Sequence, residues 1–424
     1  MKVFKFGGAS VKDAEGVRNV AAIVSANLND SPFIVVSAMG KVTNALEEIC
    51  NSYYQKNDDL HQLIETLKQK HFEIAASLVP KNDPVFDDLE NIFAELYWAV
   101  EEEQIKAYDY EYDQIVSAGE MLSTRIVAAY LNHIGIPVQW LDARDLIRTD
   151  ETFREGNVDW EFSANKITAA WHDLQLNNPG ACILTQGFIG GTSDNFTTTL
   201  GREGSDYSAA IFAHCLNAEE VIIWKDVPGV LNADPKEFPE AVLLNEISYY
   251  DAIELAYFGA TVIHPKTLKP LQNKNIPLRV KSFLHPDLPG TVIGKDDFKN
   301  TIPTFIFKKN QVLISISPRD FSFIIEENIR DIFEQLSERR IKVNLMQNSA
   351  LKFSLCVNES NGKLKEFIDV LSQRYKVLYN ADCELITIRN YTEELSKKLS
   401  NNRQVLVEQR SRNTLQMVTT NINS

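Results

Sequence analysis

Four short stretches hold side chains that could do chemistry: KFGGAS from Lys5, SAGEMLSTR from Ser117, TLGREGSDYSAA from Thr199 and WKDVPGVLNADPK from Trp224. In the first, Lys5 precedes Gly7 and Gly8, whose freedom from a β-carbon lets the backbone come close to an anion. The stretch is neither GxGxxG nor GxxxxGKS, so alone it reads equally as a tight strand-to-helix turn. In the third, Arg202 can clamp a carboxylate through two parallel hydrogen bonds, and Ser205 and Asp206 stand where a helix begins. In the fourth, Lys225, Asp226, Asp234 and Lys236 crowd a loop that follows an apolar strand, where α/β sheets bind ligands. Each group has an ordinary alternative in a polar hairpin, an N-cap or a solvated loop. His264, beside Pro265, reads as a structural histidine at a turn.

The elements that must position these residues alternate between strand and helix. MKVFKF and PFIVVSA are β-rich, and a helical, partly acidic insert of about 44–107 follows the second. In DQIVSAGEMLSTRIVAAYLNHIG, residues Ile115, Ala118, Leu122, Ile126 and Ala129 make one helical stripe, from which Glu120 is displaced. ACILTQGFIG reads as a buried strand, GGTSDNFTTTLG as a hairpin and GSDYSAAIFAHCLNA as a helix. This is the grammar of an α/β fold with a mostly parallel sheet. Beyond about residue 300 it changes: QVLISIS, ENIRDIFEQLSER, IKVNLMQ, LKFSLCV, GKLKEFIDVLSQR and YKVLYNAD run strand, helix, strand, strand, helix, strand. That order is a ferredoxin-like split βαβ unit. ELITI, TEELSKKLS, QVLVEQ and NTLQMV then resemble an abbreviated second copy. The expected division is a catalytic domain over 1–297, a ferredoxin-like domain over 298–383 and the short copy over 384–424.

Composition narrows the function. A chain of 424 residues with 44% hydrophobic content can build more than one core. A net charge of −15 opposes binding to a nucleic-acid backbone. The five cysteines are scattered without a CxxC pair, as expected of free thiols in a reducing compartment. With neither a leader-like N-terminus nor an apolar run of spanning length, a soluble, cytoplasmic protein without membrane contact is expected.

Taken together, KFGGAS, VVSAMGKVTN, the Gly-Glu of SAGEMLSTR, GFIG, TLGREGSDYSAA, WKDVPGVLNADP, ELAYFGATVIHP and LPGTVI resemble the aspartate kinases in order and approximate spacing. The C-terminal region is similar to that family's ACT regulatory domains. The resemblance implies a three-layer amino-acid-kinase sandwich that transfers the γ-phosphoryl of ATP, with Mg²⁺, to the β-carboxylate of L-aspartate. The product would be 4-phospho-L-aspartate, the first step toward lysine, threonine and methionine. Lys5 and Asp206 would be catalytic, Lys5 bridging donor and transferred phosphates and Asp206 orienting it. Thr43, Glu120, Phe188, Arg202 and Ser205 would hold aspartate, Glu120 receiving the α-ammonium and Arg202 the α-carboxylate. Gly7, Gly8, Ser37, Lys225, Asp226, Leu231, Lys236, Thr261 and Val262 would contact the nucleotide. A carboxylate acceptor is already ionised at neutral pH, so this chemistry needs no general base.

Three departures from the family pattern stand out. Ala9 replaces a usual threonine, and Glu203 replaces a small residue or asparagine. Lys225 stands where threonine is usual and Thr261 where lysine is usual, as if a cation had moved between loops; weakened nucleotide affinity is the other reading. The rival functions are a non-catalytic amino-acid sensor and a kinase of another amino acid, such as glutamate. Glu120 and Arg202 favour a zwitterionic acceptor over an acetylated or nucleotide one. With the sequence running to residue 424, the dehydrogenase domain that some family members carry is not expected. The open edge of a lone ferredoxin-like unit predicts a homodimer, or a dimer of dimers, joined through residues after about 300 with an effector between ACT units. SPRDFSF places Asp320 where the family often has glycine, which favours lysine over threonine as effector and leaves insensitivity as the alternative. If lysine regulates, adding it must change the KM for aspartate and raise the unfolding temperature together; a protein indifferent in both measurements is lysine-insensitive.

Overall fold

Neighbouring residues of the N-terminal strands face opposite cores. In β1 (Lys2–Phe6), Val3 joins one apolar cluster while Phe4 and Phe6 join another. In β2 (Phe33–Val36), Phe33 and Val35 face the first cluster and Ile34 and Val36 the second. A strand apolar on both faces must be covered on both, which gives a helix–sheet–helix sandwich. The computed structural model describes residues 1–424 except 31, 102–106, 261–262, 296–300, 321, 360–361, 402 and 422–424. They divide into two units, one of residues 1–230, 243–253 and 261–300, the other of residues 231–242, 254–260 and 301–424.

The first unit carries strands β1, β2, β3 (Val138–Leu141), β4 (Cys182–Gln186), β5 (Ile189–Gly191), β6 (Thr197–Thr199), β7 (Glu220–Lys225), β8 (Glu246–Ser248), β9 (Leu278–Ser282) and β10 (Thr291–Gly294). Eight of them form one sheet in the order β3-β4-β2-β1-β7-β9-β10-β8. It is parallel except between β9 and β10. One face is covered by α1 (Ala14–Ala26), α2 (Val42–Gln55), α3 (Leu60–Ala76), α4 (Val85–Glu101), α5 (Tyr108–Val116) and α6 (Ala118–His133). The other face is covered by α8 (Trp160–Asn177), α9 (Gly204–Leu216) and α11 (Pro265–Lys274), with α7 (Ala143–Leu146); of α10 (Tyr249–Phe258), residues 249–253 belong to this unit and 254–258 to the other. β5 and β6 pair separately as the expected hairpin.

The stripe from Ile115 to Ala129 runs over two helical segments that meet at Ser117, whose own backbone stays right-handed helical. The Ser117 hydroxyl donates to the Gln114 carbonyl at 3.0 Å, while the Ser117 N–H still reaches the Asp113 carbonyl at 3.4 Å and its carbonyl accepts the Met121 N–H at 3.3 Å. Helix α6 is buried nearly all round, so Glu120 is enclosed although it lies off the apolar stripe.

The second unit holds β11 (Thr304–Pro318), α12 (Glu326–Glu338), β12 (Val343–Asn348), β13 (Phe353–Asn358), α13 (Lys363–Arg374), β14 (Tyr375–Arg389), α14 (Glu393–Ser400), β15 (Arg403–Arg410) and β16 (Thr414–Asn421). These strands form one antiparallel sheet in the order β12-β13-β11-β14-β16-β15. YKVLYNAD and ELITI, read separately in the sequence, are a single strand. Asn310 and Asp382, with φ of 55° and 52°, accommodate irregularities without ending β11 or β14. Asparagine and aspartate tolerate that conformation better than most side chains. Val312, Ile314 and Ile316 pack with Ile332, Leu336, Phe367 and Leu371 of α12 and α13.

The turn after β1 depends on close backbone approach. A Cβ on Gly8 would lie 2.7 Å from the Ala38 carbonyl oxygen and 2.9 Å from that of Gly40. The Gly40 N–H donates to the Gly8 carbonyl at 2.9 Å, tying the two turns together. Gly8→Ala is therefore expected to destabilise the protein by about 1–3 kcal/mol through overpacking, read as a lower urea midpoint at unchanged slope. An unchanged midpoint would show that the turns separate freely.

Candidate active site

The ends of β1, β2, β4 and β7 carry the candidate residues of the first unit. β1 lies between β2 and β7, with Lys5 in register with Val35 and Ile223. The Lys5 ammonium is 2.7 Å from Oδ1 of Asp206, in the first turn of α9. The Lys225 ammonium, on the last residue of β7, is 3.3 Å from Oδ2 of the same carboxylate. Asp206 is 2% exposed. Burial pushes its carboxyl up, but Lys5 and Lys225 outweigh burial and hold it below the ordinary aspartate value. Two cations thus converge on one buried anion at the start of a helix, where backbone N–H groups also favour negative charge.

Glu120, 2% exposed, is another buried carboxyl. Its Oε1 accepts the Ala38 N–H at 3.2 Å, and its Oε2 has no hydrogen-bond partner among the described residues. Burial pushes its pKa up to about 8, with the Ala38 and Glu120 N–H groups and Lys5 drawing it partly back. An acid in this state ionises readily when a cation arrives.

The turn before α9 is held in unusual backbone conformations. Phe188, Gly201 and Glu203 have φ of 72°, 79° and 54°. Glu203 therefore occupies a position where backbone shape favours glycine or asparagine over a long side chain. The Phe188 N–H donates to the Ser208 hydroxyl at 2.9 Å, and Phe188 is half-buried against the turn. A Cβ on Gly187 would fall 2.6 Å from that of Ser205, so glycine is what allows buried Ser205 to sit there. The turn exposes Arg202.

Lys5, Asp206 and Lys225 are in direct contact, and Gly7, Gly8, Ser37 and Glu120 adjoin them through the turns. Ser37 donates its N–H to the Phe6 carbonyl at 3.1 Å and accepts the Ser123 hydroxyl at 2.7 Å. Thr43 is half-buried in the first turn of α2, and Asp226 is exposed beyond β7. Leu231 and Lys236 belong to the second unit, where the Lys236 backbone N–H donates to Asp234 at 2.9 Å. Thr261 and Val262 lie outside the described residues. His264 caps α11, its Nδ1 accepting the Lys266 N–H at 3.2 Å, which is the structural role expected of it.

Sequence reasoning missed Asp113. It is buried on α5, and its carboxylate accepts the Arg154 N–H at 2.8 Å, the Thr199 N–H at 2.9 Å and the Thr199 hydroxyl at 2.7 Å. Burial outweighs these bonds and pushes its pKa up to about 6. Its work is to tie α5 to the hairpin leading into the turn before α9. The available signal was an acid flanked by the apolar residues Tyr112, Ile115 and Val116.

A parallel sheet with glycine turns, paired lysines and a helix N-terminus at one end is an arrangement suited to holding an anion. The amino acid kinase family matches residues 1–282. The chain is 31% identical over 385 residues to bifunctional aspartokinase/homoserine dehydrogenase 2 of Arabidopsis thaliana, covering 88% of this chain and 42% of that protein. It thus spans less than half the length of that relative. It is 30% identical over 388 residues to lysine-sensitive aspartokinase 3 of Escherichia coli, covering 90% of this chain and 84% of that one. Its structure matches E. coli aspartokinase III with lysine and aspartate at a TM-score of 0.84, 27% identity, and 99% and 95% coverage of the two chains. The same enzyme with aspartate and ADP matches at a TM-score of 0.81, 26% identity, and 99% and 96% coverage. The chain belongs to the amino acid kinase family, among its aspartokinases.

The state of Glu120 yields a pH test. Its folded pKa of about 8 lies above its ordinary 4.5, so the stability its protonated form supports is complete below 4.5 and is lost as pH rises through about 8. In the absence of ligand, Glu120→Gln should therefore gain in Tm relative to the parent between pH 5 and pH 9. A Tm difference constant across that range would mean that Glu120 ionises normally.

Proposed function

We propose that this protein is an ATP-dependent aspartate kinase, passing the γ-phosphoryl group of ATP to the β-carboxylate of L-aspartate. The carrying observation is the pair of lysines on Asp206 beside a buried glutamate with an unpartnered oxygen. An amino acid brings an ammonium for Glu120 and an α-carboxylate for Arg202, leaving its side-chain carboxylate to attack phosphorus. A bond forms between that carboxylate oxygen and the γ-phosphorus as the bond to the β-phosphate bridging oxygen breaks, releasing ADP.

In this reading Lys5 bridges the β- and γ-phosphates, and Lys225 adds a second positive charge to the transferred group. Asp206 keeps both ammonium groups in place before substrate arrives, so little reorganisation is needed as charge spreads. Both Asp206 oxygens face lysines, which suits orienting cations rather than binding a metal. Mg²⁺ would enter with ATP, held by phosphate oxygens, and neutralise charge on the phosphates. Thr43, Phe188 and Ser205 complete the aspartate pocket, and Gly7, Gly8, Ser37 and Asp226 flank the nucleotide. Leu231, Lys236, Thr261 and Val262 are assigned to the nucleotide on family resemblance.

For regulation, residues 298–383 and 384–424 form the ACT region, joining chains in a homodimer or a dimer of dimers, with lysine as the favoured effector. Aspartate-dependent ADP formation, compared with glutamate and acetylglutamate as acceptors, tests the substrate assignment. Lys5→Ala should lower kcat by about two to three orders of magnitude while leaving aspartate binding largely intact. A variant with parental kcat would remove Lys5 from the chemistry.

A further inference from the structure

The turn carrying Arg202 and Ser205 is braced by a side chain from another helix. Leu200, at its start, donates its N–H to the Phe188 carbonyl at 2.8 Å. Its own carbonyl accepts the Lys266 ammonium at 3.0 Å. That ammonium also lies 4.8 Å from the centre of the Tyr207 ring, one residue beyond Asp206. Lys266 thus touches the chain on both sides of the GREGSD segment.

Its platform is fixed. Leu268 and Leu271 bury α11 in the core. At the far end, Lys274 donates to the His214 carbonyl at 2.7 Å and the Asn217 side chain at 2.6 Å, while His214 Nδ1 meets the Pro270 carbonyl at 2.9 Å. Helix α11 is therefore bound to α9 near its C-terminus and, through Lys266, to the turn at its N-terminus. The turn needs such support. Glu203 is held at a positive φ, and Gly201 and Gly204 close a tight 2.9 Å backbone hydrogen bond across it.

From this geometry we infer that Lys266 is a positioning residue for the amino-acid substrate, acting through the Leu200 carbonyl and the Tyr207 ring to hold the Arg202–Ser205 turn. The inference rests on the aspartate-kinase reading for its substrate and on the structure alone for the brace. A charged donor fixed by one carbonyl and one aromatic face restrains both ends of the turn. Losing it should let Arg202 and Ser205 drift while leaving Lys5 and Lys225 on Asp206. The effect should fall on the amino acid more than on the nucleotide.

The test compares the parent protein with Lys266→Met, which keeps the stem without the charge, and Lys266→Arg, which keeps the donor. Lys266→Met should raise the KM for aspartate by about tenfold and leave that for ATP within about twofold. Lys266→Arg should recover most of the loss. Amide hydrogen exchange across the turn, followed without substrate, should accelerate in Lys266→Met and return toward the parent in Lys266→Arg. An unchanged aspartate KM, an equal rise for both substrates, or unaltered exchange would overturn the assignment. If the parent itself shows no aspartate-dependent turnover, the kinase reading fails on that result, while the exchange data still decide whether Lys266 holds the turn.

Discussion

The ion pairs of Asp206 with Lys5 and Lys225 are the constraint around which the candidate site is built. A buried carboxylate is costly unless it is paired, and one lysine would suffice to neutralise it. The second leaves a local excess of positive charge in a chain whose net charge is −15. That excess lies at the ends of β1 and β7, beside the N-terminus of α9. An anion of several charges is what such a place attracts. The neighbouring glycine turn answers a packing requirement, since the backbone at Gly8 runs against the Ala38 and Gly40 carbonyls.

Glu120 has the opposite electrostatic setting. Burial outweighs the Ala38 and Glu120 N–H groups and the charge of Lys5, so its carboxyl remains protonated well above the ordinary range. Its enclosure comes from packing: α6 is covered on almost every side, and a Cβ on Gly119 would lie 2.9 Å from that of Ala38. In the proposed reading, cations at one carboxylate and a latent negative charge at another would separate the two ends of a zwitterionic acceptor. Asp113, three bonds deep in the hairpin and its neighbouring loop, shows that another buried carboxyl can serve architecture instead.

The second unit has its own polar interior. Gln311 is buried, donates to Asn358 at 3.0 Å and accepts from Asn344 at 2.8 Å, while Lys308 donates to Asn344 at 3.0 Å. Such a network favours one strand register, because a slip would leave the buried Gln311 side chain unpaired. It lies where Asn310 and Asp382 interrupt the pairing of β11 with β14. Arg389 with Glu254 adds an ion pair within the same unit.

Much was legible before any coordinates. Alternating apolar residues and glycine turns were sufficient for the α/β fold and the ferredoxin-like change of grammar, because those patterns are local and periodic. The ordered set of motifs marked Lys5, Asp206, Glu120 and Arg202 as candidates, although no one motif could. Sequence did not show the boundary at Ser117, since the apolar stripe continues through it. Nor did it show that YKVLYNAD and ELITI form one strand, because φ at Asp382 is an outcome of pairing with β11. The displacement of Glu120 from the apolar stripe gave no sign of its burial, which depends on strands and helices distant in the chain. That Lys225 shares Asp206 with Lys5 was likewise decided only by tertiary structure: these residues are far apart in sequence, and parallel pairing of β1 with β7 brings their lysines to one carboxylate. Residue types and periodicity determined what could be buried or charged; long-range packing determined which charges would meet.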